Sequence, residues 1–578
     1  MKSLKDYYEN EIRYFIEESQ RFAAKHPRQA RALNLTDVRE RDPYAERLIE
    51  AFAFLTGSIS KRIDDDFSKL ALDLLSVIWP HYLIPLPSSV IMCMNPVKGL
   101  IQSGKTISKG ASVETDNLSS GLRARFTCCS DCLIRPFEIE KASLVSLRDG
   151  QSAIRLNLHF FEESKWENMD LSPLQIYLHG DPGVSSILYY ILLKDIKKII
   201  IHWNNDSREV ELPADTIQPG GLSSEPEHAL LPFPEHTFAG FSMLETYFYF
   251  SERFRFVTLD IFKAMSDVEP DSQCEINLVL GGTENWRMDL TANNFKLNCV
   301  PAMNLYKIDA EPITLDVGKM SYRLAVNKAE SMHSVPYYVD TVSGIRVNDG
   351  SRHRYQPFFS YRFDMKTDEL AYYYLKHVSN VEDTKELYLS VVRPDNAGKE
   401  VLSIEMMCGN DPVIREIHAG GVCHSYDLPD YVRPISLSAP TLPIWPQYEG
   451  KELWTLIHSL GLNYNSINTK ESLQRLFTMY NRNDDRANHR RIEGIRSYQI
   501  DTKRSIYQGY PVNAVLVDLL MATENFINKG DMLMFCHILS KFFSMYVPMN
   551  NICELNVTEY ETNKHFMRQV EAGGQSII

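Results

Sequence analysis

The chain has 578 residues, enough for about three or four domains with large cores, and its 44% hydrophobic and 24% charged content is that of a folded protein. A net charge of −14 without any long basic run argues against a binder of nucleic acid or of an anionic membrane. The 10 cysteines are scattered, which suits reduced thiols better than a disulfide framework. The opening MKSLKDYYENEIRY carries acids where a secretory leader needs an apolar core. The most apolar late stretch, Met532 to Val547, is interrupted by His537, Ser540 and Lys541 and is too short to span a bilayer. A cytoplasmic location without direct membrane insertion is therefore expected.

In chain order, Ser3 to Lys25 is the first expected helix: Ser3 and Asp6 resemble a capping box, Leu4, Tyr8, Ile12, Phe15 and Phe22 share one face, and His26-Pro27 ends it. A short linker through Thr36 leads to a much longer one. Asp42 is a good N-cap, Pro43 fits the first helical position, and Trp79-Pro80 with Pro85 and Pro87 stops the helix. Between these limits Leu48, Phe52, Leu55, Ile59, Ile63, Phe67, Leu70, Leu74 and Val77 recur at spacings of three and four, which puts them on one face. Unbroken at Gly57, such a helix is roughly 55 Å long, more than one small core can cover, so its stripe needs partners, either as the spine of an ordinary helical domain or in a bundle shared with other subunits. Asp64, Asp65 and Asp66 point about 100° apart on it and cannot converge on a cation. Weak pairs Lys61 to Asp65 and Arg62 to Asp66 on a solvated face are expected instead.

After Pro87 the texture changes to short alternating runs such as VIMCM, RARFTCC, IRLNLHF and LQIYLHG. One helix is expected near Val184 to Lys194, then a buried strand at Ile199 to Ile201, a long loop from Leu212 to Pro234, and an aromatic strand through Tyr247, Phe248, Tyr249 and Phe250. Further strands are expected at Glu275 to Leu280, Arg287 to Leu290 and Leu387 to Val392, and helices return with ELWTLIHSLGLNY, ESLQRLFTMYN and MLMFCHILSKFFSMYV before a strand at Cys553 to Val557. The expected fold class is α+β and multidomain: an N-terminal helical arm (1–87), a mainly β domain with one inserted helix (88–270), a second β-rich domain (271–440) and a mixed C-terminal region (441–578).

Motifs for chemistry are weak. Gly99 to Thr106, GLIQSGKT, fits a phosphate-binding loop, but Thr106 runs into ISKGASVET rather than into a helix whose amides could hold phosphate. Cys128, Cys129 and Cys132 lack a second pair of ligands at zinc spacing. No GxSxG or HExxH is present. Neither a catalytic site, a metal nor a cofactor is expected. On the residues alone a nucleotide-hydrolysing enzyme using Lys105 and a β-rich ligand-binding module remain alternatives to an assembly subunit.

The segments DYYENEIRYF, DPYAERLIEAFAFL, IDDDF and WPHYLIPLPS resemble the N-terminus of the TssF (VasA) family of type VI secretion baseplate proteins. The likeness recurs in order along the chain, in GFSMLETYFYFSERFRFVTLDIF, LNCVPAMNLYKIDAEPITLD, YYVDTVSG, PFFSYRF, ELWTLIHSLGLNYNSI and FFSMYVPMNN. The resemblance implies a structural, non-enzymatic subunit of the cytoplasmic, membrane-proximal baseplate. Two copies would join one TssG in a wedge that also carries TssK trimers, and six wedges would surround the VgrG spike, beside subunits such as TssE, and meet the sheath. The apolar faces of the first two helices are the expected partner contacts, and the run Tyr247 to Phe250 is a further candidate because only one side of a strand must face its own core, the alternative being that both of its sides are buried within one domain.

Overall fold

The computed structural model describes residues 4–32, 43–78, 80–116, 118–147, 150–161, 170, 172–203, 209–222, 239–262, 273–282, 286, 288–316, 318–326, 334–358, 371–379, 385–393, 399–421, 423–425, 427–446, 453–454, 456–457, 469–507 and 509–574. The chain divides into two compact units. The first contains Met1–Leu83 together with Pro446–Leu462, and the second Ile84–Trp445 with Asn463–Ile578.

The first unit is built on helices α1 (Leu4–Lys25), α2 (Pro27–Ala32) and α3 (Pro43–Ile78). The expected linker after His26 begins with the short α2, for which Pro27 is a suitable first residue. The later segment contributes Leu453 and Leu456, both buried.

The second unit holds the sheets. One six-stranded sheet runs in the order 423–424, 112–115, 125–128, 299–303, 89–96, 432–436, and a five-stranded one in the order 209–213, 196–203, 273–280, 152–160, 137–146. Strand pairing therefore crosses the expected boundary at residue 270: Met92 lies opposite Val300, and Leu158 opposite Cys274. The linear division into 88–270 and 271–440 does not survive, because strands distant in sequence complete each other's hydrogen bonds. An eight-stranded sheet is built from 306–309, 313–314, 322–323, 335–346, 352–357, 372–379, 385–392 and 400–409, with its core around Val342, Tyr355, Leu387, Leu402 and Ile404. Gln273–Leu280 and Lys385–Val392 are strands as expected; of the strand expected at Arg287 to Leu290, Arg287 lies outside the described residues and 288–290 is irregular.

Helix α4 (Pro182–Lys194) stands where the Pro-Gly turn predicts it, and Ile196–Trp203 follows as a strand with Ile199 and Ile201 fully buried. Helix α5 spans Ala239–Tyr249, α6 Lys470–Tyr480 and α7 Arg486–Glu493. The last sheet, 495–507, 510–521, 552–559, 565–572, contains one parallel pair, 510–521 with 552–559. A parallel pair requires a crossover, and α8 (Lys529–Tyr546) supplies it. Asn528 caps α8, accepting from the amides of Gly530 and Asp531 at 2.9 and 3.1 Å while donating to the Gly183 carbonyl of α4. At Gly530 a Cβ would meet the Ser186 carbonyl oxygen at 1.7 Å, so only glycine permits this approach of the two helices.

Two histidines are locked in the interior. His537 of α8 shares a 2.9 Å hydrogen bond with the Tyr189 hydroxyl of α4, and burial pushes its pKa down to about 3; burial likewise pushes His377 down to about 4. Both depressed values favour the neutral ring, so their stabilisation is complete above the unfolded pKa of about 6.5 and is lost as pH falls towards the folded values. At pH 4.5 each costs on the order of 2 to 3 kcal/mol. Denaturation midpoints compared at pH 7.5 and 4.5 are expected to fall, and less steeply in His537→Asn than in the parent; equal slopes would contradict the assignment.

Candidate partner interface

Helices α1 and α3 lie antiparallel. The Tyr7 hydroxyl donates to Asp64 at 2.8 Å and the Ser60 hydroxyl to Glu11 at 3.2 Å. Close approach is possible because α3 turns small residues towards α1: Ala53 and Gly57 are buried, and a Cβ at Gly57 would stand 3.1 Å from the Tyr8 amide nitrogen. Further along α3, Ala71 and Leu75 are also buried. On α1 no residue is fully buried; Leu4, Tyr8, Ile12 and Phe15 are half-buried and Phe22 is exposed.

The large apolar side chains of α3 point elsewhere. Leu48, Phe52, Leu55, Ile59, Ile63, Phe67 and Leu70 are each 50–59% exposed, and Leu74 is 37% exposed. Presenting about 100 Å² apiece, they form an apolar strip on the order of 800 Å², above the roughly 300–600 Å² of the largest patch on an ordinary monomer and close to one side of a standard protein interface. At about 25 cal/mol per Å², covering it represents roughly 20 kcal/mol before the costs of association are deducted. Of the charges on this helix, Asp64 is engaged by Tyr7, but the expected Arg62 to Asp66 pair is not formed. The Asp65 side chain, and so the Lys61 pair, lies outside the described residues, as does the side chain of Val77.

Tyr247, Phe248, Tyr249 and Phe250 are not a surface. Tyr247, Phe248 and Tyr249 end helix α5 and Phe250 follows it, so the run forms no strand, and all four are buried. Tyr247 stacks on Phe535 of α8 with centroids 5.5 Å apart, Phe248 meets Phe477 of α6, and the Tyr249 hydroxyl is hydrogen-bonded to Ser89. A short continuous apolar run fits a buried helix as well as a strand, and periodicity cannot separate the two. These residues are core contacts, and the expectation of a partner contact there is withdrawn.

The remaining motifs resolve locally. Lys105–Ile107 is a short strand paired with Cys132–Ile134, so the GKT triplet opens no helix. Cys128, Cys129 and Cys132 are buried; desolvation pushes the first two thiols up to about 12 and Cys132 higher still, which opposes the thiolate form a metal requires. No group of three potential ligands is found among the described residues. The sequence reading missed the hairpin of strands Ile495–Tyr507 and Tyr510–Met521, signalled only by alternation on either side of Gln508-Gly509. Its tip carries Ile506 and Tyr510, 77% and 73% exposed.

Matched as a whole, residues 1–575 fit the family model described as type VI secretion system, TssF. The chain belongs to the TssF family. It is similar to the type VI secretion system component TssF1 of Pseudomonas aeruginosa strain PAO1, 24% identical over 99% of both chains. A chain in the cryo-electron-microscopy structure of the TssK-TssF-TssG baseplate subcomplex matches 91% of this chain and 98% of its own length, with 25% identity and a TM-score of 0.79. A second solved structure, the baseplate complex from the type VI secretion system, shares the fold over 100% of both chains, with 22% identity and a TM-score of 0.66. The protein is a structural component of the type VI secretion baseplate wedge. Among its described residues no helix is long and apolar enough to cross a membrane.

Proposed function

We propose that the chain acts in the cytoplasm, at the membrane-proximal baseplate, as the wedge subunit that contributes α3, flanked by α1, to a helical bundle shared with other chains. Two copies join one TssG, TssK docks on the wedge, and TssE, the VgrG spike and the sheath are neighbours of the assembled ring. One observation carries this reading: eight large apolar residues from Leu48 to Leu74 lie exposed on a single face of a 36-residue helix whose small-residue face is already occupied by α1. A helix cannot keep so large an apolar strip in water at no cost, and further helices are the partners that fit it. The role is architectural, and no step of chemistry is assigned to the chain.

Co-expression with TssG and TssK partners, followed by native mass measurement, tests the proposal. Two copies of this chain per TssG are expected. A chain that purifies as a stable monomer and ignores TssG would overturn it.

A further inference from the structure

The spacing of the exposed strip specifies what can cover it, given the shared bundle proposed above. Leu48, Ile59 and Leu70 stand eleven residues apart, as do Phe52, Ile63 and Leu74. An eleven-residue repeat holds about 3.67 residues per turn, whereas a heptad seam holds 3.5, and the two drift around a straight helix in opposite senses. A heptad seam begun at Leu48 and Phe52 would instead bury Arg62, Asp66, Lys69 and Asp73, three of whose four charges fall outside the apolar rows. The fourth, Asp66, is different. It follows Leu55 by eleven residues, so it occupies a place where the repeat calls for an apolar side chain. It is exposed and makes no ion pair among the described residues.

We infer that the strip is covered by a long helix of another baseplate chain that carries the same eleven-residue apolar repeat and sets a lysine or arginine opposite Asp66. That helix follows α3 from Leu48 to Leu74, about 39 Å, in a straight or slightly right-handed course rather than as a left-handed heptad coil. The area argues for such an occupant, since a strip on the order of 800 Å² matches one side of a stable protein interface. Charge complementarity argues for the cation. A carboxylate enclosed in an apolar seam is tolerated when it is paired, and a single polar position of this kind fixes the register of the helices.

The native chemistry of the chain makes the test clean, because all ten of its cysteines are buried. Single substitutions Ile63→Cys, Leu70→Cys, Leu74→Cys, Arg62→Cys and Asp73→Cys in the full chain are labelled with a maleimide before and after assembly with TssG. Labelling at 63, 70 and 74 is expected to slow at least tenfold on assembly, with less than threefold change at 62 and 73. The reverse pattern would overturn the eleven-residue course while leaving the seam itself in place. No slowing at any position would overturn the shared bundle and this inference with it. Asp66→Lys, by setting like charges together, and Asp66→Leu, by stranding the cation, are each expected to weaken assembly at least tenfold and Asp66→Glu to preserve it; assembly of Asp66→Lys or Asp66→Leu at parental strength would overturn the opposing cation.

Discussion

Replacing Phe52 and Ile59 together by aspartate is expected to abolish co-purification with TssG while lowering the thermal unfolding midpoint of the isolated chain by no more than about 4 °C. The two halves of this expectation have separate causes. Both side chains are already half in water in the isolated subunit, 54% and 50% exposed, so two carboxylates there stay solvated and little packing is lost. In the assembled bundle the same carboxylates would be enclosed without partners, at several kcal/mol each, which is more than an ordinary interface can lose. A pull-down against immobilised TssG, with melting curves on the same preparations, measures both. Destabilisation of the isolated chain with unchanged pull-down would return these residues to an internal role.

The second large effect belongs to the C-terminal part of the second unit. Arg491 of α7 forms two parallel hydrogen bonds to Asp531 of α8, at 3.1 and 2.9 Å, and its guanidinium lies 5.7 Å from the centre of the Tyr247 ring. Asp531→Ala strands that buried cation and also removes an acceptor for the Ile527 amide. A loss of about 3 to 5 kcal/mol is expected, visible as a lower denaturant midpoint with the pull-down against TssG retained at temperatures where the chain stays folded. The paired change Arg491→Met with Asp531→Leu is expected to recover most of the loss, because it removes both charges at once. If the single variant is as stable as the parent, the ion pair is not buried in solution.

Legibility in the sequence followed the range of the interaction. The long helix, expected from Pro43 to Trp79 and described over Pro43–Ile78, could be read because capping, proline and a repeat of three and four residues are local properties, and α4 and α6 were legible for the same reason. The pairing of 89–96 with 299–303 was not, since nothing near Met92 announces Val300. The run Tyr247 to Phe250 misled because its neighbours Ser242, Glu245 and Thr246 are buried too. Polar residues inside a helix conceal that it is buried on every side, and Glu245 is tolerated there through its pairing with Arg482, 2.7 Å away. The exposed strip of α3 was visible as a stripe, but its exposure was not. Gly57 and Ala53 decide that, by giving α1 the other face of the helix.

Hydrogen exchange along α3, compared between the isolated chain and its complex with TssG, tests the central claim most directly. Amides from Leu48 to Leu74 are expected to exchange at least tenfold more slowly in the complex, with the strands at 335–346 and 400–409 unchanged. Unchanged exchange along α3 together with new protection elsewhere would show that the strip is not the seam.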